Sequence, residues 1–154
     1  MEKNKDTAFV LNKLNNSSSL SQGLKVISDN EEVFVKKTFS AYFNDYLAAH
    51  REMKPSEIIE LSGLNRTYAY DVLTGKRNAS RDRIIALCFA SKMNLEETNH
   101  ALIYAGHNAL YARDRRDACI ILAINRLQQG SVDFKNVADL NWFLDDQDQD
   151  PLDI

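Results

Sequence analysis

The chain has 154 residues, 44% of them apolar and 27% charged, with only two prolines and five glycines: the composition of an ordinary soluble globular protein, long enough for one compact domain plus an extension. No stretch approaches the roughly 18 consecutive apolar residues that a membrane span needs, and the polar start Met1 to Asp6 lacks a signal-peptide layout, so no membrane partner and a cytoplasmic location are expected. The net charge of −3 speaks against a nucleic-acid partner only until it is resolved along the chain. Residues 36–94 hold ten Lys/Arg against six Asp/Glu, whereas residues 95–154 hold five against eleven.

Apolar residues come in short groups rather than alternating, which predicts an all-α protein. Residues 1–31 are expected to form a polar, partly disordered arm. In it the run Asn15-Asn16-Ser17-Ser18-Ser19 reads as a loop, and Phe9, Val10, Leu11 and Leu14 make at most a short helical turn. From Glu32 the pattern turns helical. Val35, Phe39, Tyr42, Phe43, Tyr46 and Leu47 recur at three and four residues and predict a helix that ends near Glu52. Pro55 suits the first position of the next helix, where its missing N–H costs nothing, and Ile58, Ile59 and Leu61 supply that helix's apolar side up to Gly63. Gly63-Leu64-Asn65 reads as a tight turn, with Gly63 free to take a positive φ and Asn65 placed to cap a helix over about 65–74 that stops at Gly75.

Ser80 is the expected N-cap of a further helix carrying Ile84, Ile85, Leu87, Cys88 and Ser91 toward the core. Asn94 with Glu97 has capping-box spacing and opens another, with Leu95, Thr98, Leu102 and Ala105 on one face and Gly106 at its end. These elements define a domain over residues 32–106. Residues 107–144 are expected to add helices over Asp114–Gln128 and Ser131–Leu144, and residues 145–154 to form an acidic tail with Asp145, Asp146, Asp148, Asp150 and Asp153. Within the extension, Asp114-Arg115-Arg116-Asp117 reads as an exposed helix start whose charges pair with one another. Its apolar residues Ile120, Ile121, Ala123, Ile124, Leu127, Phe134, Val137, Leu140 and Leu144 exceed what a five-helix core needs, a surplus that predicts a homodimer.

Cys88 and Cys119 lie in apolar helical stretches and read as buried free thiols. His50, His100 and His107 have no metal-ligand spacing. Neither a metal nor any other cofactor is expected, and with no nucleophile–base pair or phosphate-binding glycine loop the chain does not read as an enzyme.

The informative spacing is that of two short helices around a glycine turn. On the second, Ala69, Val72 and Leu73 at i, i+3 and i+4 point inward and leave Arg66, Thr67, Tyr70, Asp71 and Thr74 outward. The stretch Pro55-Ser-Glu-Ile-Ile-Glu-Leu-Ser-Gly63-Leu-Asn-Arg-Thr-Tyr-Ala-Tyr-Asp-Val-Leu-Thr-Gly75-Lys-Arg resembles the lambda-repressor-like Cro/XRE helix-turn-helix family of transcriptional regulators, a likeness that extends over about residues 36–106. It implies a five-helix DNA-binding domain carrying a C-terminal two-helix extension. It also implies base contacts from Arg66, Thr67, Tyr70 and Asp71, a phosphate grip from Thr74, Gly75, Lys76 and Arg77, and a groove approach by Arg81. Two positions depart from the family pattern: Pro55 stands where Gln is frequent, and Ile59 where a small Ala is usual.

The chemistry of these side chains points the same way. Arg66 offers a planar fork suited to the O6/N7 edge of guanine, and Thr67 a methyl for thymine. Tyr70 suits a phosphate or sugar, while Asp71 repels phosphate unless it accepts from cytosine N4 or steadies Arg66. Lys76, Arg77, Arg81 and Arg83 supply attraction independent of sequence. A homodimer would set two such helices about 34 Å apart and call for a palindromic operator on double-stranded DNA. The competing expectation is a helical interaction adaptor or antitoxin-like regulator that keeps the fold without reading DNA, which Asp71 and the acidic C-terminal half favour.

Overall fold

Every element of the computed structural model, which describes residues 7–30 and 37–154, is an α-helix. The chain divides between Lys36 and Lys37 into two units. In the first, α1 (Thr7–Asn15) and α2 (Leu20–Asp29) pack as a pair. The expected polar arm is therefore helical where it is described. Ser19 Oγ accepts from the Gln22 N–H at 3.1 Å, and Gln22 Oε1 reaches back to the Ser18 N–H at 2.7 Å. Residues 16–19 are the expected loop between the two helices, and Ser19 in it is also the N-cap of α2.

The second unit contains α3 (Phe39–Ala49), α4 (Pro55–Ser62), α5 (Arg66–Leu73), α6 (Arg81–Ala90), α7 (Leu95–Tyr104), α8 (Arg115–Gln128) and α9 (Val137–Asp146). The predicted helix from Glu32 begins at Phe39 behind its cap Thr38, and its portion with Glu32 and Val35 lies outside the described residues. Local capping accounts for most starts. Asn65, Ser80, Asn94, Asp114 and Asn136 each accept the N–H three residues on, and Asn94–Glu97 closes the expected capping box. The last helix starts at Val137 rather than Ser131 because Asn136 and Asp139 form a capping box of their own.

Helix α6 is the hub. Its residues Ile84 through Ala90 are all buried, as expected of a helix apolar on every side, and it packs against α4, α7 and α9. Tyr46 ties α3 to the end of α6 through a 2.6 Å hydrogen bond to the Ser91 carbonyl, and burial raises its phenol's pKa. Cys88 is a free thiol that desolvation holds protonated, and Cys119 is also free but only half-buried.

The C-terminal helices complete this core. Ile120, Ala123, Ile124, Phe134, Val137, Leu140 and Leu144 are buried within the chain, and α9 lies on α4 and α6. The apolar surplus from which a homodimer was expected is thus largely consumed internally. Nor does the Asp114–Asp117 run pair with itself. Arg116 forms a two-pronged bridge to Asp82 at 2.9 and 3.0 Å, and Asp117 receives one from Arg81 at 2.8 and 3.0 Å, so the first turns of α6 and α8 are joined by two crossed ion pairs.

Burial by itself would raise the Asp82 and Asp117 pKa values. The guanidinium hydrogen bonds, a backbone N–H from Asp153 or Tyr111 and the attraction of both arginines together outweigh it and hold both below the usual carboxylate range. Stability from these pairs is therefore present above the ordinary value of 3.8 and is lost as pH falls through the lower folded values. Asp117→Ala should lower the free energy of urea unfolding at neutral pH by about 2 kcal/mol, less than the roughly 3–5 for a fully buried pair because solvent reaches Arg81. Its unfolding midpoint should fall less steeply than the parent's as pH drops from about 5 to about 3.

Candidate nucleic-acid interface

Helices α4 and α5 meet at a three-residue turn that the sequence determines closely. Gly63 adopts φ +75°, and the buried Ser62 hydroxyl donates to the Ile59 carbonyl at 2.6 Å while accepting the Leu64 N–H at 3.2 Å. Asn65 Oδ1 then takes the Tyr68 N–H at 3.0 Å and starts α5. Ile59 is buried in the core. The far end of α5 is fixed by α3: the Leu73 carbonyl accepts from Ser40 Oγ at 2.8 Å and from Asn44 Nδ2 at 3.4 Å.

With both ends held, Ala69, Val72 and Leu73 are buried as predicted. Arg66 and Thr67 are exposed, and Tyr70 and Asp71 half-buried, on the opposite face. The Arg66 guanidinium lies 5.6 Å from the Tyr70 ring centre, a cation–π contact that restrains its long side chain.

The expected phosphate grip divides into two groups. Thr74 turns its hydroxyl back to the Tyr70 carbonyl at 2.9 Å, and the Gly75 N–H donates to Val72 at 3.2 Å. Both use their donors to finish α5. Arg81 faces inward, toward Asp117 and the carbonyls of Asn108 and Ala109, each at 3.1 Å. The Thr74 hydroxyl, the Gly75 N–H and the Arg81 guanidinium thus all make hydrogen bonds within the chain.

Lys76, Arg77 and Arg83 remain. Lys76 and Arg77 are exposed, and their backbone N–H groups both bond the Asp71 carbonyl, at 2.9 and 3.2 Å, which folds the loop back beside α5. The Arg77 and Arg83 guanidinium groups sit 5.2 and 4.6 Å from the centre of one ring, that of Tyr68. Tyr68 is half-buried against the core and acts as a platform for two cations. No local spacing signals this, since Arg77 and Arg83 come from the loop and from α6. At about 100° of helical rotation per residue, Tyr68 falls at the edge of the outward face beside Asp71.

On the other side a shallow cleft of about 380 Å³ opens along α4, lined by Ser56, Glu57, Glu60, Leu64 and Arg66 among others. Its carboxylates make that rim acidic, in contrast to the Tyr68 side. Among the described residues no helix is long and apolar enough to cross a membrane. No family model, curated protein or solved structure matches the chain.

The turn gives a direct test of the geometry. A Cβ added to Gly63 would occupy a left-handed conformation and lie 3.0 Å from Ile154 Cδ1. Gly63→Ala should therefore destabilise the fold by about 1–2 kcal/mol, seen as a lowered thermal midpoint by circular dichroism. Gly106→Ala, at φ +84° with open space around the added carbon, should cost less.

Proposed function

We propose that the chain binds double-stranded DNA as a transcriptional regulator of the lambda-repressor-like helix-turn-helix type, with α5 entering the major groove. One observation carries this reading: α5 presents Arg66 and Thr67 to solvent at its start, while Tyr68 at the border of the same face gathers Arg77 and Arg83. A short, capped helix with donors on its outer face and cations at one side fits a groove about 12 Å wide flanked by phosphates.

The roles follow from the chemistry. Arg66 reads a guanine edge, steadied by Tyr70, and Thr67 meets a neighbouring base. Asp71 accepts from cytosine N4 or orients Arg66. Lys76, Arg77 and Arg83 hold the backbone, each neutralised phosphate adding about 0.9 to the log–log salt slope. The acidic Glu57–Glu60 rim favours that backbone on the Tyr68 side over a path along α4. The same rim is what favours the competing reading of an adaptor that binds protein instead. Operator symmetry follows the protein's own: a monomer takes a single asymmetric site and a dimer a palindrome, states that sedimentation with and without DNA separates.

Band shifts with genomic fragments across a salt series test the reading, and absence of any shift at about 50 mM salt would overturn it. Arg66→Ala should lose about 1–3 kcal/mol of discrimination at a single base pair in a substitution scan of the bound site. Lys76→Ala and Arg77→Ala should instead weaken specific and random duplexes alike, each lowering the salt slope by roughly one. Equal losses on both kinds of duplex in the Arg66 variant would remove its base-reading role.

A further inference from the structure

The last five residues are not the free acidic tail that their composition predicts. Arg116 donates to the carbonyls of Asp150 and Pro151 at 2.9 and 3.1 Å, and Asn141 Oδ1 accepts the Leu152 N–H at 2.7 Å. The Leu152 side chain is 4% exposed, and the Asp153 N–H donates to Asp82 Oδ2 at 2.9 Å. Beyond it, Ile154 reaches the α4–α5 turn at Gly63. A buried leucine and four hydrogen bonds thus make an ordered strap across the start of α6.

The strap's path has an electrostatic consequence. Held by its backbone at Asp82 on one side and followed by Ile154 at the Gly63 turn on the other, the exposed Asp153 lies within Coulombic reach of Arg83, the cation that Tyr68 supports. Tyr68 is the main influence favouring the charged form of Arg83, and Asp153 adds to it through Coulomb attraction. No closed salt bridge forms between Arg83 and Asp153 among the described residues: the guanidinium bonds Tyr68 and faces another anion with its remaining donors while a negative charge acts on it.

We propose that this strap is an autoinhibitory element of the DNA-binding face: Asp153 repels a phosphate arriving at Arg83 and sets the affinity of the chain for DNA below what its cations alone would give. The inference rests on the DNA-binding reading of α5. It concerns the electrostatic part of binding, so it acts on every sequence alike and fades as salt rises.

The test variant is Asp153→Asn, which keeps the backbone hydrogen bond to Asp82 and the buried Leu152. Asp145→Asn, at the end of α9 and outside the strap, is its control for net charge. At about 50 mM salt Asp153→Asn should bind specific and random duplexes about two- to fivefold more tightly than the parent, with Asp145→Asn near parental, and the gap should narrow by about 200 mM. In an Arg83→Ala background the Asp153 substitution should have no effect. Equal behaviour of the two Asn variants, or a gain that survives Arg83→Ala, would overturn the autoinhibition while leaving the DNA reading in place. If neither the parent nor any variant shifts a duplex, the DNA reading itself falls, and this inference with it.

Discussion

Two crossed ion pairs at the start of α6 determine where the distal parts of the chain lie. The Arg81-Asp82 dipeptide on one helix meets the Arg116-Asp117 dipeptide, in the same order, on another, so that each arginine bonds the other helix's aspartate. Each carboxylate sits in the first turn of its helix, where the axial dipole favours negative charge, and each guanidinium offsets its own unfavourable place there by bonding the carboxylate of the other helix. Both arginines also bind backbone carbonyls. Arg81 gathers the loop at Asn108 and Ala109, and Arg116 the strap at Asp150 and Pro151. One local motif thus joins the second pair of helices, the intervening loop and the C-terminal segment to the hub of the core.

The same turn also separates structure from surface. Arg81, Asp82 and Arg83 are consecutive, yet the first two engage α8 and the strap whereas the third lies on Tyr68. A rotation of about 100° per residue makes that divergence unavoidable on a helix packed along one side. In sequence, Lys76, Arg77, Arg81 and Arg83 read as one basic patch. Folding removes Arg81 from it and gives Arg77 and Arg83 a shared aromatic support.

What was legible in the sequence was what local backbone chemistry fixes. Asn65, Ser80 and Asn94 mark helix starts because a side-chain oxygen must meet an N–H three residues away, and Gly63 marks the turn because its φ is positive. The inward set Ala69, Val72 and Leu73 was legible from helical periodicity. Partners 36 and 34 residues apart, such as Arg81 with Asp117 and Arg116 with Asp82, leave no periodic trace. The apolar residues of α8 and α9 announced burial without identifying what would bury them: α8 packs on α7 and α9, and α9 on α4 and α6. Ser19 was missed because a cap inside a serine run looks like the run.

Charge on the candidate face is mixed, and that shapes how such a face can work. Arg66, Lys76, Arg77 and Arg83 are interspersed with Asp71 and bounded by Glu57, Glu60 and Asp153, on a chain of net charge −3. A protein of that overall sign gains little long-range steering toward a polyanion, and at physiological salt any attraction acts within a Debye length of about 8 Å. On the DNA-binding proposal such a face would neutralise few phosphates, and the sequence-independent component that dominates non-specific binding would be small. On the proposed reading, discrimination then falls to the contacts at the start of α5, where Arg66 must already point correctly when the groove arrives. The fixed ends of that helix, held by Asn65 at one side and by Ser40 and Asn44 at the other, supply this order before any DNA is bound.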